Sequence, residues 1–552
     1  MRLIKHVRIA GLLTIFVFNF SALSQGPVSK ADAEKWRQDL VYMAQQMPLR
    51  HKNLFHSVSR DRFEAAVKNL YEMIPSLSRP EIIVEMARIV ALVGDGHTNI
   101  SPTRDPKIGF QTLPIKLYFF KNNLFIRSAN KEHADLVGAR ILYVGGVPID
   151  TAYQSVRSII GRDNEMDVKF FAAQLLTMPE VLCALRMTSD TEKAMFVVQV
   201  GRQQKTVTLA SAGPADLIPP DMDTTWIERS GWIDARDTAR SPTPLWLKDP
   251  SNKYWFEFLK DSKTVYVQLN QVGNKEDETL AAFCKRLFAF VDANPVERFV
   301  LDLRLNRGGN GALNKPLLLG IIKSKIDQRG KLFTIIGRST WSAAQFLVND
   351  LEKYTNTIFV GEPTGGKVNS YGDSRKITLP NSGITVRVSS LWWQEDERDT
   401  REWTAPDIAA NLTFDAYRNN IDPAIKAILN YAPKKSLGDI LYDALASGEE
   451  QAVNEGLHKW KYDPANEYVD TEPIINSLGY KLLNEKRVPE AVLVFKINAN
   501  EHPRSANVYD SLADAYVAAN DRDSAMRNYE KALALDPKME SAAEALKKLR
   551  EQ

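Results

Sequence analysis

Cysteine is nearly absent from this chain. Only Cys183 and Cys284 occur among 552 residues, so no disulfide framework holds the fold and stability must come from apolar burial. Both sit in apolar stretches, Val181-Leu-Cys-Ala-Leu185 and Ala281-Ala-Phe-Cys284, and read as small core residues rather than a bonded pair. Histidine is sparse as well, with seven scattered along the chain. There is no HExxH, no Cys/His cluster and no carboxylate-rich loop, so a metal site lacks ligands and no cofactor is expected. Charge of one sign is also lacking. A net charge of +3, with no basic run or acidic tail, leaves no footprint for nucleic acid or an anionic membrane. Beyond the first residues, no segment is long and apolar enough to span a bilayer.

The first residues have their own pattern. Arg2, Lys5 and Arg8 precede a short apolar run from Ile9 to Phe20, and Ala22-Leu-Ser24 offers small residues at a cleavage site. This reads as a signal peptide over residues 1–25, with an N-terminal membrane anchor as the alternative. No cysteine follows the run to carry a lipid. The expectation is an exported protein, periplasmic or extracellular, with no membrane attachment after cleavage.

What the rest contains is ordinary for globular protein: 44% hydrophobic and 25% charged residues, and length for three to four domains at roughly 150 residues each. The reading is an α/β multidomain chain. Residues 26–110 are helical, most clearly from Ser78 as N-cap, through Pro80, to Val93, with Gly94 as the stop. Residues 111–212 carry strand signals, with Asn122-Asn123 as a hairpin turn. The stretch from Gly138 to Pro148 resembles the strand and turn of PDZ domains, which bind extended peptides by strand addition. Residues 213–250, rich in Pro, Asp, Ser and Thr, read as a linker or strap.

From 251 to 432 strands alternate with helices, implying a mainly parallel sheet. Strands are expected at 264–269, 299–303, 332–336 and 357–360, and a hairpin over 376–388 around Asn381-Ser-Gly383. Helices are expected over 280–291 and from Ser342 to Leu351. In the last part, 433–552, Leu478, Ala491, Phe495 and Pro503 recur 34 residues later as Leu512, Ala525, Tyr529 and Pro537. That period resembles tetratricopeptide repeats, which offer a surface for a protein partner or serve as a structural cap.

Four segments bear on chemistry. Gly361-Glu-Pro-Thr-Gly-Gly-Lys367 fits part of a phosphate-binding loop, but no hydroxyl for Mg²⁺ follows the lysine and no helix begins there. Gly94-Asp-Gly-His-Thr98 presents His97 in a tight turn. Leu301-Asp-Leu-Arg-Leu-Asn-Arg-Gly-Gly309 is a buried strand opening into glycines whose N–H groups can approach an oxyanion. Arg338-Ser-Thr-Trp-Ser-Ala-Ala-Gln345 sets Ser342 where a strand gives way to a helix, a favourable place for an alkoxide. Taken alone, these are a loop histidine, a strand-to-helix turn and an N-cap serine.

Together and in this order they resemble the tricorn and carboxyl-terminal-processing serine peptidases. Asp302-Leu-Arg-Leu-Asn-Arg-Gly-Gly309 is similar to the family's Asp-Leu-Arg-x-Asn-x-Gly-Gly strand, and Ser342-Ala-Ala-Gln345 to its nucleophile motif, with Gln for the usual Glu. Gly361-Glu-Pro-Thr-Gly-Gly366 is similar to the turn after the next strand. The resemblance covers roughly residues 30 to 430 and implies a ClpP/crotonase-like catalytic core. It also implies a polypeptide substrate and Ser342 as nucleophile, with oxyanion donors from Gly309 or Gly308 and Ala343. His97 would be the base, titrating near an unperturbed ~6.5, and Glu402 its supporting acid. Gly96 stands where the tricorn branch has serine, which puts that relay in question. Lys367, 25 residues after Ser342, matches the Ser-Lys branch in spacing and is the alternative base. A non-catalytic binding scaffold on the same fold and a hydrolase of non-peptide esters or amides are the rival readings. The physiological substrate and the oligomeric state are not readable from the chain.

Overall fold

Ser29, Ser59 and Ser78 open three helices at the start of the described chain. They precede α1 (Lys30–Arg50), α2 (Arg60–Met73) and α3 (Arg79–Ala91). The Ser29 and Ser59 hydroxyls accept from the N–H groups of Asp32 and Arg62, and the Glu81 carboxylate accepts from the Ser78 N–H at 2.8 Å. Such caps satisfy N–H groups that have no partner inside the helix. The computed structural model describes residues 26–219, 221–239 and 241–551, so the signal peptide expected over 1–25 lies outside the described residues.

A mostly antiparallel sheet follows. Its strands are β1 (Ile115–Phe120), β2 (Asn123–Asn130), β3 (Arg140–Val144), β4 (Val147–Pro148), β5 (Lys193–Val200) and β6 (Gln203–Ala210). They run in the order β1-β2-β3-β5-β6, with β4 bonded to β3. The β1–β2 turn is Lys121-Asn122, one residue earlier than expected, with Lys121 at φ 53°. Three helices also lie in this region, against the all-strand expectation: α4 (Ile149–Arg157), α5 (Glu165–Leu175) and α6 (Pro179–Ala184). In α5, Met166, Val168, Phe170, Phe171, Ala172, Ala173 and Leu175 are all buried. Only Glu165, Lys169 and Gln174 stay partly exposed, and so thin a polar face leaves little helical period in the sequence.

The segment expected to be a linker, 213–250, is built into the molecule. Its short strand β7 (Trp232–Asp234) pairs with β2, and Trp226 and Trp246 are buried in an aromatic cluster with Phe120 and Tyr417.

Next come β8 (Tyr254–Leu259), β9 (Thr264–Leu269), α7 (Leu280–Ala293), β10 (Arg298–Asp302), α8 (Lys315–Lys323), β11 (Leu332–Ile336), α9 (Ala343–Tyr354) and β12 (Ile358–Gly361). The hairpin β13 (Ser370–Thr378) and β14 (Thr385–Trp393) and the short β15 (Ile408–Ala409) complete this part. The second sheet has the order β15-β12-β11-β10-β9-β8, parallel throughout except at the β8–β9 edge. Both faces are covered. Val265, Val267, Phe299 and Leu301 point into one apolar layer, and the alternating Tyr266, Val300, Phe333 and Ile335 into another. The hairpin reaches out of this core to the N-terminal helices, where Asp39 accepts from the N–H groups of Asn381 and Ser382, both at 2.8 Å.

After α10 (Phe414–Arg418) and α11 (Pro423–Leu429) the chain is helical pairs: α12 (Leu437–Ala444) with α13 (Glu450–Lys461), α14 (Glu472–Asn484) with α15 (Val488–Glu501), and α16 (Ala506–Ala518) with α17 (Arg522–Leu535). A last helix, α18 (Glu540–Glu551), closes the row. The 34-residue repeat partners Leu478 and Leu512, Ala491 and Ala525, and Phe495 and Tyr529 all lie in one buried cluster. Among the described residues no helix is long and apolar enough to cross a membrane.

Candidate active site

The turn between β11 and α9 is tied from inside the core. The Thr340 hydroxyl accepts from the Gly337 N–H and donates to the Leu303 carbonyl, each at 3.0 Å, and the Trp341 N–H reaches the Asn306 carbonyl. The Gly365 and Gly366 N–H groups both donate to the Thr340 carbonyl, so the glycine-rich loop that imitates a phosphate site braces this turn instead. Ser342 closes it at φ 53°, ψ −125°. That is a strained conformation for any residue with a Cβ, costing on the order of 1–3 kcal/mol, and it persists only where the surroundings enforce it. The Ser342 hydroxyl makes no capping bond to α9. Its Oγ lies 3.2 Å from Nε2 of His97.

His97 comes from a turn 245 residues away in sequence. Asp95, two residues before it, accepts at Oδ1 from the N–H groups of His97 and Thr98 and from the Ser389 hydroxyl. His51 donates to its other oxygen at 2.9 Å. Burial opposes the Asp95 charge, yet hydrogen bonds from His51, His56 and Ser389 outweigh it and hold the carboxyl below the usual range. The His97 ring stacks on the Trp341 indole, with centroids 3.8 Å apart and planes 17° from parallel. Burial pushes the His97 imidazole down to about 4; Arg104 and Arg307 add to this while Asp95 pulls the other way. The ring is therefore neutral at neutral pH, as a proton acceptor must be.

The third element follows β10. Asp302 accepts from the Tyr266 hydroxyl and pairs with Arg304, fixing the end of the strand. Asn306 then accepts the Gly308 N–H at 2.9 Å through its side chain. This removes Gly308 from the expected oxyanion donors. The N–H groups of Gly309 and Ala343 have no acceptor among the described residues. Both glycines are needed for space: a Cβ on Gly308 would sit 2.8 Å from the Ser342 Cβ, and one on Gly309 would sit 2.2 Å from the Val272 carbonyl oxygen.

Two expected residues make no hydrogen bond to the pair among the described residues. Glu402 is exposed, and its backbone carbonyl is held by Asn164 at 2.8 Å while its side chain makes no hydrogen bond or ion pair among the described residues. The His97 Nδ1 has no side-chain partner there, only the Tyr371 backbone nearby, so the expected relay from Glu402 is not formed. Lys367 is half-buried and makes no hydrogen bond or ion pair among the described residues; it is His97 that reaches the Ser342 hydroxyl. Gly96, which departs from the family pattern, is explained by space. A Cβ there would lie 3.1 Å from both the Trp341 ring and an Asp167 carboxylate oxygen.

Sequence reasoning missed Asp95, Trp341 and Asp163 as parts of this site, although the first two adjoin residues it singled out. It also missed that His51, His56 and Asp95 converge, with donor atoms within 4.8 Å of one another. The Asn53 N–H donates to His51 Nδ1 at 3.0 Å, so the His51 proton sits on Nε2 and goes to Asp95. That nitrogen has no lone pair for a cation, and the cluster anchors Asp95. The two cysteines are both free.

No family model matches the chain, and no curated protein matches it. Solved structures do. The chain is similar to mature CPAF complexed with lactacystin at 10% identity over 72% of this chain and 99% of that one, with a TM-score of 0.49. It is similar to the photosystem II D1 C-terminal processing protease at 13% identity over 73% and 97%, with a TM-score of 0.33. Its helical repeats are similar to the first TPR of Spaghetti (RPAP3) bound to an HSP90 peptide, at 16% identity over 21% and 88%, with a TM-score of 0.16.

Proposed function

We propose that this chain is an exported serine peptidase of the tricorn and carboxyl-terminal-processing kind, with Ser342 as nucleophile and His97 as general base. The observation that carries the reading is the strained Ser342, whose hydroxyl leaves its helix uncapped and lies 3.2 Å from a neutral imidazole. His97 Nε2 takes the hydroxyl proton as Oγ attacks the scissile carbonyl, and the oxyanion of the tetrahedral intermediate accepts from the Gly309 and Ala343 N–H groups. His97 then returns the proton to the leaving amine, and water enters by the same route to release the acyl group. A binding scaffold has no use for a strained serine beside an imidazole, which weighs against the non-catalytic reading.

Peptide rather than another ester or amide is favoured by the edge of the antiparallel sheet. β1 is an edge strand, and between it and α5 lies a cavity of about 390 Å³ lined by Leu113, Ile115, Leu117, Phe170 and Ile218. An extended chain could add to that edge as it does in PDZ-like domains. The repeats, on this reading, hold a protein partner. The experiment is labelling of the purified protein with a fluorophosphonate, followed by mapping of the modified residue. The expected outcome is a single adduct on Ser342 that is lost in Ser342→Ala. Absence of labelling, or an adduct elsewhere that survives this substitution, would falsify the assignment.

A further inference from the structure

We propose that Asp163 is a positioning residue for the Ser342–His97 pair, doing through Trp341 what a triad carboxylate does through the second nitrogen of its histidine. This rests on the reading of Ser342 and His97 as nucleophile and base. A triad base is usually oriented by an acid on its far nitrogen. Here no carboxylate faces that nitrogen among the described residues and only the Tyr371 backbone favours its proton, so the ring plane needs a further support. It is set by stacking on Trp341, the residue immediately before the nucleophile.

The indole is itself clamped. Its Nε1–H donates to Asp163 Oδ2 at 2.8 Å, and the other oxygen of Asp163 accepts the Gly96 N–H, also at 2.8 Å. One buried carboxylate thus bonds to the residue before the base and to the residue before the nucleophile. It does so across 67 and 178 residues of sequence. The two bonds use both oxygens, so the arrangement favours the ionised form. The groups facing Asp163 are Asp167 from α5 and Asp95 from the base turn, which oppose its charge, and Lys367, which favours it. Burial first, then Asp167, pushes its carboxyl up to about 7. Asparagine has the shape of the protonated acid and turns an N–H₂ toward one of the two donors.

The test is the rate of Ser342 labelling by a neutral fluorophosphonate, followed against pH. Above pH 7, Asp163→Asn should slow labelling about a hundredfold, the usual cost of a reacting group displaced by about 1 Å. The wild type should show a step near pH 7 that the variant lacks. In a His97→Ala background, Asp163→Asn should cost nothing more, because its effect passes through the imidazole. Should that variant not fold, Trp341→Phe keeps the stacked ring and removes the Nε1–H. It should slow labelling about tenfold with His97 present and not at all without it. Equal slowing in both backgrounds, a pH step that persists in Asp163→Asn, or a folded Asp163→Asn that reacts at the wild-type rate overturns the proposal. A wild type that is not labelled at Ser342 instead brings down the underlying site reading, and the inference with it.

Discussion

The backbone of the nucleophile turn, 337–342, is held from within its own part of the chain: Thr340 bonds to Gly337 and Leu303, and the loop at Gly365-Gly366 to Thr340. Only its side chains reach outside, Arg338 to the Phe119 carbonyl, Ser339 to Asp223 and Trp341 to Asp163. The base turn, 94–98, is held from outside. Its supports are His51 from the end of α1, Asp163 from the loop before α5, and the β13–β14 hairpin, where Ser374 donates to the His97 carbonyl at 2.9 Å and Ser389 to Asp95. All of these polar ties except that of Ser374 sit on a carboxylate, Asp95 or Asp163, with N–H or O–H donors around it. The backbone ties that strain the serine thus come from the core, while the base is delivered only when three separate elements dock. Anything that loosens the docking should cost the base before it costs the nucleophile.

The largest break in that contrast is removal of the base. His97→Ala should lower turnover by about 10⁴-fold, as loss of a triad member does elsewhere, without unfolding a core in which His97 is not a structural element. Lys367→Ala should do far less, since Lys367 makes no hydrogen bond or ion pair among the described residues. Steady-state rates of both variants, with circular dichroism to verify folding, decide the matter. An inactive Lys367→Ala beside an active His97→Ala would transfer the role of base to the lysine.

A smaller effect sharpens the same contrast through pH. His97 must be neutral to accept the Ser342 proton, and burial holds its imidazole at about 4 rather than the expected ~6.5. Its folded-state value lies below the unfolded one, so the neutral ring survives into acid and is lost only as pH falls through about 4. In Asp163→Asn, where no other step is expected, the labelling rate should be level from neutral to about pH 5 and fall near 4. An acid limb centred near 6.5 would show that the base is solvated, and hence that the base turn is not docked as described.

The same division explains what the chain made legible. The core strands were readable because parallel strands buried on both faces are short apolar runs, as in Phe299-Val-Leu-Asp-Leu303 and Leu332-Phe-Thr-Ile-Ile336. The turns that carry Ser342, Gly309 and His97 were readable because they are local, and the roles of these residues are what we propose for them. α5 was not, since a helix buried on nearly every side has almost no amphipathic period. Asp163 was not, because a lone aspartate in a loop carries no sign of two partners in distant turns. Glu402 was misassigned for a related reason: motif spacing places a backbone, and here Asn164 holds that backbone with the side chain facing solvent.

The smallest effect is expected from the largest deletion. Residues from 437 onward pack into a cluster whose members all lie between Leu437 and Leu549, separate from both layers of the parallel sheet. They meet the rest of the molecule at a few points: Glu467 bonds to Lys121 and Asn411, and Tyr468 to Asn411. None of these partners belongs to the nucleophile turn, the base turn or the glycines after β10. Groups with no shared partner couple weakly, typically by less than ~0.5 kcal/mol. Removing residues 434–552 should therefore leave the rate of Ser342 labelling within about a factor of two of the full chain. The cut uncovers the seat of Tyr468, so lower solubility is expected without loss of reactivity. A folded truncation that no longer labels would show that the repeats take part in assembling the base, and would add a fourth outside support to the three already seen.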